Sequence, residues 1–268
     1  MRLLAVAILL GGLIAGGCGS AEDESILGKR TWAVGVRPDL PGLGLKRPDG
    51  TFEGFDVDVA RYIGGKLGRN VTFVQALAAD RIPKLVSGEV DLMVAAFSVT
   101  PDRKNDVAFA GPYYVSYQDI LVRSDDTAIK DVRDLNGRKI CAVSGTDAAQ
   151  KVAAMRGVSV QITSATDYDR CMALLRDRAV DALTTNDVIL AGLVKREGKG
   201  VRLVSARYAE QRTGIGLRKG DPDGCEAVNK AITEMYQDGT AAQLVGKWFG
   251  GTGLNPPIIA VPQFEGCD

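Results

Sequence analysis

Apolar residues recur along this chain in two alternating rhythms. Short continuous runs such as WAVGV (Trp32 to Val36), VTFV (Val71 to Val74) and VDLMVAAF (Val90 to Phe97) read as buried strands. Between the first two, Val59, Ile63 and Leu67 repeat at helical spacing behind Asp56, and Ile82, Leu85 and Val86 mark another helix. Thr100 followed by Pro101 has the form of an N-cap with proline at the first helical position. The rhythm then repeats downstream. Ile140 to Val143 reads as a strand, Thr146 as the cap of a helix carrying Val152 and Met155, and Val158 to Ile162 as the next strand. Tyr168 to Leu175 follows as a helix, with a strand and a helix across Val180 to Val194. Such alternation predicts the α/β class, with parallel strands covered on both faces.

Two segments echo each other. LVSGEVDLMVAAFS from Leu85 and LRDRAVDALTTND from Leu175 both run from leucine through Val-Asp into an apolar strand with a polar end. They predict two similar lobes, whose polar ends, Ser98 to Thr100 and Thr184 to Asp187, face one cleft at the carboxyl ends of their strands.

Composition removes several kinds of chemistry. The 268 residues carry 33 Lys plus Arg against 33 Asp plus Glu, so neither a global field nor a basic run gathers nucleic acid. No histidine occurs. That removes the commonest general base, the Ser-His-Asp triad and most zinc sites. At the N-terminus, Arg2 precedes an apolar run from Leu3 to Ala15, shorter than the roughly 20 residues of a spanning helix but suited to a signal peptide. An exported protein is therefore expected. The remaining cysteines after Cys18 are Cys141, Cys171, Cys225 and Cys267, an even number in an oxidising compartment. Proximity along the chain favours Cys141 with Cys171 and Cys225 with Cys267 among three possible connectivities. A four-cysteine metal site would want CxxC spacing, which is absent.

In GFDVDVAR, Asp56 occupies the place of an N-cap, and Asp58 falls in the first helical turn, where negative charge favours the macrodipole. A metal site there would need more oxygen ligands than the neighbouring Glu53 supplies. No metal or cofactor is expected.

Taken together, these motifs resemble the bacterial extracellular solute-binding proteins of the polar amino acid class, family 3. GFDVDVARYIGGKL, SVTPDR, FAGPYY, SGTDAA and DALTTNDVILAG follow the family's order and spacing. PGLGLKRPDGTFEGFDVDVA and TTNDVILAG are most similar to actinobacterial glutamate-binding members. Ala15, Gly16 and Gly17 before Cys18 resemble a lipobox, in which that cysteine is acylated. The resemblance implies a two-lobed type II periplasmic-binding-protein fold, crossed twice between lobes by the strands in YVSYQDILVR and RTGIGLRKG. The implied organisation is a signal peptide over 1–17, a lipid-anchored tether over 18–28, lobe one over 29–114 with 215–268, and lobe two over 115–214. The implied role is that of a monomeric lipoprotein on the outer face of the bacterial cell membrane. It would close around glutamate, aspartate or glutamine and deliver it to an ABC permease.

Within that frame, Arg103 of SVTPDR is the candidate for the ligand α-carboxylate, with the hydroxyls of Ser98 and Thr100 beside it. A guanidinium fork and helix N-H groups suit a carboxylate. Thr146 and Asp147 of SGTDAA are candidates from the second lobe. Asn186 stands where glutamate-binding members commonly carry aspartate, so either Asp187 or Asp147 completes the ammonium site or the ligand is not an ordinary α-amino acid. Arg37 and Arg81 are candidates for a distal carboxylate, and Tyr113, Tyr114 and Tyr117 for the aliphatic part of a ligand. Two other classes stay open. One is a cyclohexadienyl dehydratase-like enzyme using Asp147, Asp187 or Glu210 as a cleft acid. The other is a lipoprotein that senses its ligand for a signalling partner.

Overall fold

The computed structural model describes residues 25–252, 254 and 261–267. The expected signal peptide, Cys18 and most of the expected tether lie outside the described residues. In chain order the elements begin with β1 (Thr31–Val36) and a small antiparallel sheet of β2 (Asp39–Leu40), β3 (Gly44–Lys46) and β4 (Phe52–Glu53). They continue with α1 (Phe55–Lys66), β5 (Asn70–Gln75), α2 (Arg81–Val86), β6 (Leu92–Ser98), α3 (Pro101–Lys104) and the long β7 (Ala108–Arg123). A second run comprises β8 (Lys139–Val143), α4 (Ala148–Ala153), β9 (Gln161–Ala165), α5 (Tyr168–Arg176), β10 (Ala182–Asn186) and α6 (Asp187–Glu197). The chain then passes through β11 (Val201–Leu203), β12 (Ala209–Leu217), α7 (Pro222–Gln237) and α8 (Thr240–Phe249).

Nine strands form one sheet in the order β5-β1-β6-β12-β7-β10-β8-β9, with β11 also on β7. Its two ends are parallel, β5-β1-β6 and β10-β8-β9, as helical crossovers require. The middle is antiparallel and is made by the two crossing strands. β7 has 16 residues, about 50 Å of extended chain. Its first half pairs with β12, and from Gln118 to Val122 it pairs with β10. A bulge at Gly214 interrupts the β12 ladder between Thr213 and Ile215.

The fully buried strands alternate between two cores. Along β6, Leu92, Val94 and Ala96 join the main core under α1, whereas Met93, Ala95 and Phe97 join a smaller core with Leu85, Val107 and Phe109. The same division runs through the second half: Cys141, Val143 and Leu183 face the main core, and Ile140, Ala182 and Ile120 face a separate one. A side-chain period of two on a sheet covered on both faces produces this pattern.

Several local expectations change. The N-cap of α1 is Gly54, without a side-chain cap, so Asp56 is not a cap but a buried residue inside the first turn. Thr146 does not cap α4 either; Asp147 takes the capping position without a side-chain bond, and the Thr146 hydroxyl donates to the Val143 carbonyl at 2.6 Å. Met155 falls beyond that helix. The strand expected over Val158 to Ile162 runs from Gln161 to Ala165. Ser25 to Gly28 belong to the folded body rather than to a free tether. Ile26 is buried, its carbonyl accepts the Trp32 indole N-H at 2.8 Å, and its N-H donates to Asp221 at 2.8 Å. Both expected disulfides are present, Cys141–Cys171 and Cys225–Cys267. They close loops of 30 and 42 residues, for which chain entropy gives about 3 to 4 kcal/mol each.

Candidate functional site

Strand ends and helix starts from both halves of the sheet converge on a narrow cleft. Arg37, Arg81, Ser98, Arg103, Thr146, Asp147 and Asn186 line it, together with Ala96, Tyr168, Thr185 and Ile189. Arg37 leaves the end of β1. Only 1% of it is exposed, and its fork meets Asp39 through two bonds of 2.8 and 2.7 Å. Its guanidinium lies 5.5 Å from the Tyr168 ring centroid.

Arg81 opens α2 and is 3% exposed. It donates to the carbonyls of Ala78 (3.0 Å), Ala95 (3.2 Å), Ala96 (2.8 Å) and Gly145 (2.8 Å). Arg103 lies in α3, where Thr100 accepts its N-H at 3.3 Å. Its guanidinium donates to the carbonyls of Ser98 (2.7 Å) and Gly145 (3.0 Å). Both guanidiniums sit within 5.2 Å of the Phe97 ring centroid. Among the described residues neither is ion-paired with a carboxylate. Burial depresses the pKa of each; the neighbouring Arg103 and Arg37 depress that of Arg81 further, whereas Asp147 and Asp102 oppose the shift at Arg103. A cation removed from water and left with neutral acceptors carries an unmet desolvation cost.

Gly145 makes this convergence possible. Its φ of +79° favours glycine, and a Cβ there would lie 2.6 Å from the Ala79 nitrogen. With no side chain in the way, its carbonyl reaches both arginines.

Opposite them, Asp147 has a buried Oδ2 with no hydrogen-bond partner. Asn186 is 2% exposed; its Oδ1 accepts from Gln118 at 2.9 Å, which leaves its Nδ2 unbonded. Gln118 Oε1 is likewise unbonded, so turning both amides over keeps this bond and presents Asn186 Oδ1 instead; position 186 offers a neutral amide, donor or acceptor, and no charge. Asp187, one residue on, points away from the cleft. It accepts the Tyr117 N-H at 3.3 Å and pairs with Arg207 at 3.0 Å, in a pocket beside Ser116, Val188 and Leu254. Burial raises its carboxyl pKa, against the Tyr117 N-H and Arg207. Thr100 stands at the mouth, in an open groove that shares Arg103, Thr146 and Asp147 with the cleft.

None of the three tyrosines considered from sequence lines the cleft. Tyr113 and Tyr114 pack on Phe55, and Tyr117 lies against Arg207. The aromatic wall is Tyr168, held through its hydroxyl by Thr185 at 2.7 Å. Its signal in sequence was modest, an aromatic directly after the N-cap Asp167. A larger groove lies between Pro41, Gly192 and Trp248, but its cations Lys195, Arg196 and Lys247 are exposed, so it offers no comparable desolvated charge.

Residues 33–251 match the bacterial extracellular solute-binding proteins, family 3. The chain belongs to this family. A relative, the glutamate-binding protein GluB of Corynebacterium glutamicum, is 36% identical over 230 residues, 81% of this chain and 78% of the relative. The ABC transporter glutamine-binding protein GlnH of Bacillus subtilis is 30% identical over 92% of this chain and 94% of its own length. Among solved structures, an ancestral arginine-binding protein bound to arginine superposes with a TM-score of 0.76 at 34% identity, covering 83% of this chain and 99% of that one. As a family 3 member the protein has the two-lobed type II periplasmic-binding-protein fold, in which β7 and β12 are the crossover strands. Its role is solute binding outside the cytoplasm.

Proposed function

We propose that this protein is the binding component of an ABC importer for acidic amino acids, with glutamate as its principal ligand. One observation carries the choice: Arg81 and Arg103 are buried in one cleft with only backbone carbonyls for partners. A ligand with two carboxylates supplies the missing partner to each, and charge-assisted bonds of this kind contribute about 1.5 to 3 kcal/mol. In this reading Arg103 holds the α-carboxylate beside Ser98, and Arg81, backed by Arg37, holds the distal one. The ammonium is assigned to the unbonded Oδ2 of Asp147, because Asn186 carries no charge, and Tyr168 covers the aliphatic chain. The names of GluB and GlnH agree with an amino acid importer.

Lobe one spans 29–114 with 215–268, and lobe two spans 115–214. The ligand bridges them, so it favours the closed form by its differential affinity for that form. Acylation at Cys18 anchors the protein to the outer face of the membrane, and a permease receives the ligand. Thermal-shift measurements with the 20 amino acids test this, since a ligand of the native state raises apparent stability. Glutamate is expected to give the largest shift, followed by aspartate and glutamine. A flat response to all of them, or turnover of prephenate or arogenate to aromatic product, overturns the reading.

A further inference from the structure

Asp56 has no place in the ligand contacts proposed above, yet it is fully buried behind them. Its Oδ2 accepts the Ala96 N-H at 2.8 Å, and its Oδ1 accepts the Tyr113 hydroxyl at 2.8 Å. Ala96 has a φ of +47° inside β6, a conformation that residues with a Cβ seldom adopt and that persists only where the surroundings impose it. The consequence shows in the carbonyls. Successive carbonyls of an extended strand point to opposite sides, but those of Ala95 and Ala96 both reach Nη1 of Arg81, at 3.2 and 2.8 Å. The pairing of β6 with β12 is irregular at the same place, passing from Met93 to Phe97.

We propose that Asp56 is a positioning residue for ligand binding, holding Ala96 in its left-handed conformation so that two carbonyls converge on Arg81 and fix its guanidinium in the cleft. The role of Arg81 toward a carboxylate rests on the reading above; the relay from Asp56 to Arg81 rests on the hydrogen bonds alone. Asp56 thus acts through backbone and never touches the ligand.

The test is a double-mutant cycle read by calorimetry with glutamate. Asp56→Ala is expected to weaken affinity about tenfold or more, because the Ala96 N-H loses its buried acceptor. Asp56→Asn, which retains an acceptor oxygen, is expected to stay within about threefold of wild type. Adding Ala96→Gly to Asp56→Ala restores most of the loss, since glycine adopts positive φ unaided. In an Arg81→Ala background, Asp56→Ala has no further effect. Equal losses with and without Arg81, or no rescue by glycine, overturn the relay. If Asp56→Ala fails to fold on its own, the double variant Asp56→Ala, Ala96→Gly is compared with Ala96→Gly alone, where glycine holds positive φ without the carboxylate; equal affinities support the relay and a further loss overturns it. A wild type that ignores glutamate defeats the ligand reading but not this one. In that case NMR decides: the Ala96 amide and Arg81 guanidinium N-H resonances move together in Asp56→Ala and Ala96→Gly returns the Arg81 resonance, and an unmoved Arg81 resonance refutes the relay.

Discussion

Gly192 offers a direct handle on lobe closure. It lies in α6, and a Cβ built on it falls 2.1 Å from the Pro41 carbonyl oxygen in the turn between β2 and β3. An ordinary carbon-to-oxygen contact is about 3.3 Å, so the turn and the helix must separate by roughly 1 Å to admit one methyl group. Overpacking of this kind costs about 1 to 3 kcal/mol. In a form with the lobes apart the sign reverses, because alanine is favoured over glycine in a helix by about 1 kcal/mol. Gly192→Ala should therefore weaken glutamate binding by about 5- to 150-fold while leaving the ligand-free protein as stable as wild type or more so. Calorimetry gives the affinity, and small-angle scattering with and without glutamate shows whether the molecule still contracts. Gly65→Ala is the control: it also lies in a helix, but a Cβ there meets nothing within 4 Å, so it should leave affinity unchanged. Wild-type affinity and full contraction in Gly192→Ala would refute the idea that ligand binding brings α6 onto the Pro41 turn.

Three further outcomes are expected. Arg103→Ala should lose about 2 to 5 kcal/mol of glutamate affinity with an unchanged circular dichroism spectrum, and undiminished affinity moves the carboxylate site elsewhere. Asn186→Asp should weaken glutamate binding, because a new carboxylate opposes the ligand carboxylates while Asp147 already serves the ammonium; tighter binding, read by calorimetry, assigns the ammonium to position 186 instead. Burial pushes the Asp56 carboxyl up to about 7, opposed by the Tyr113 hydroxyl, the Ala96 N-H, Arg37 and Arg81. The folded state therefore binds more protons than the unfolded chain between about pH 4 and 7, and stability falls as pH rises through that window. Urea denaturation at pH 4 and pH 7 should show Asp56→Asn gaining on wild type with rising pH, by about 3 kcal/mol, and a constant difference refutes the shift.

The strands and helices that form one continuous face were legible in sequence because apolar spacing determines them. VDLMVAAF became β6 and TTND the end of β10 with only small changes of boundary. β9 starts three residues later than the apolar pattern predicts, since four of its five residues are exposed and carry no apolar rhythm. Proximity along the chain points to Cys141 with Cys171, and α5 returning over β8 brings the two together. The arginines were legible as chemistry but not as a cluster; their convergence depends on Gly145 reaching across from the other half of the molecule. Asp187 was expected in the cleft with Asn186, yet neighbours at a strand end point to opposite faces, and only one of the two can enter. Asp56 has the local pattern of a cap, and nothing in GFDVDVAR itself reveals that its partners are Ala96 and Tyr113, 40 and 57 positions away.

The place of β12 in the sheet governs the order in which the molecule can be completed. It is the last strand among the described residues, yet it lies between β6 and β7 and is the element that joins β5-β1-β6 to β7-β10-β8-β9. A protein that emerges from a membrane N-terminus first thus presents two half-sheets before its ninth and joining strand arrives. During that interval β6, apolar along LMVAAF, shows a bare edge, and so does the first half of β7. Open apolar edges recruit other strands. A chain cut short before Ala209 never acquires the joining strand, so truncation late in synthesis yields one polypeptide with two adhesive half-sheets rather than a weakened binding protein.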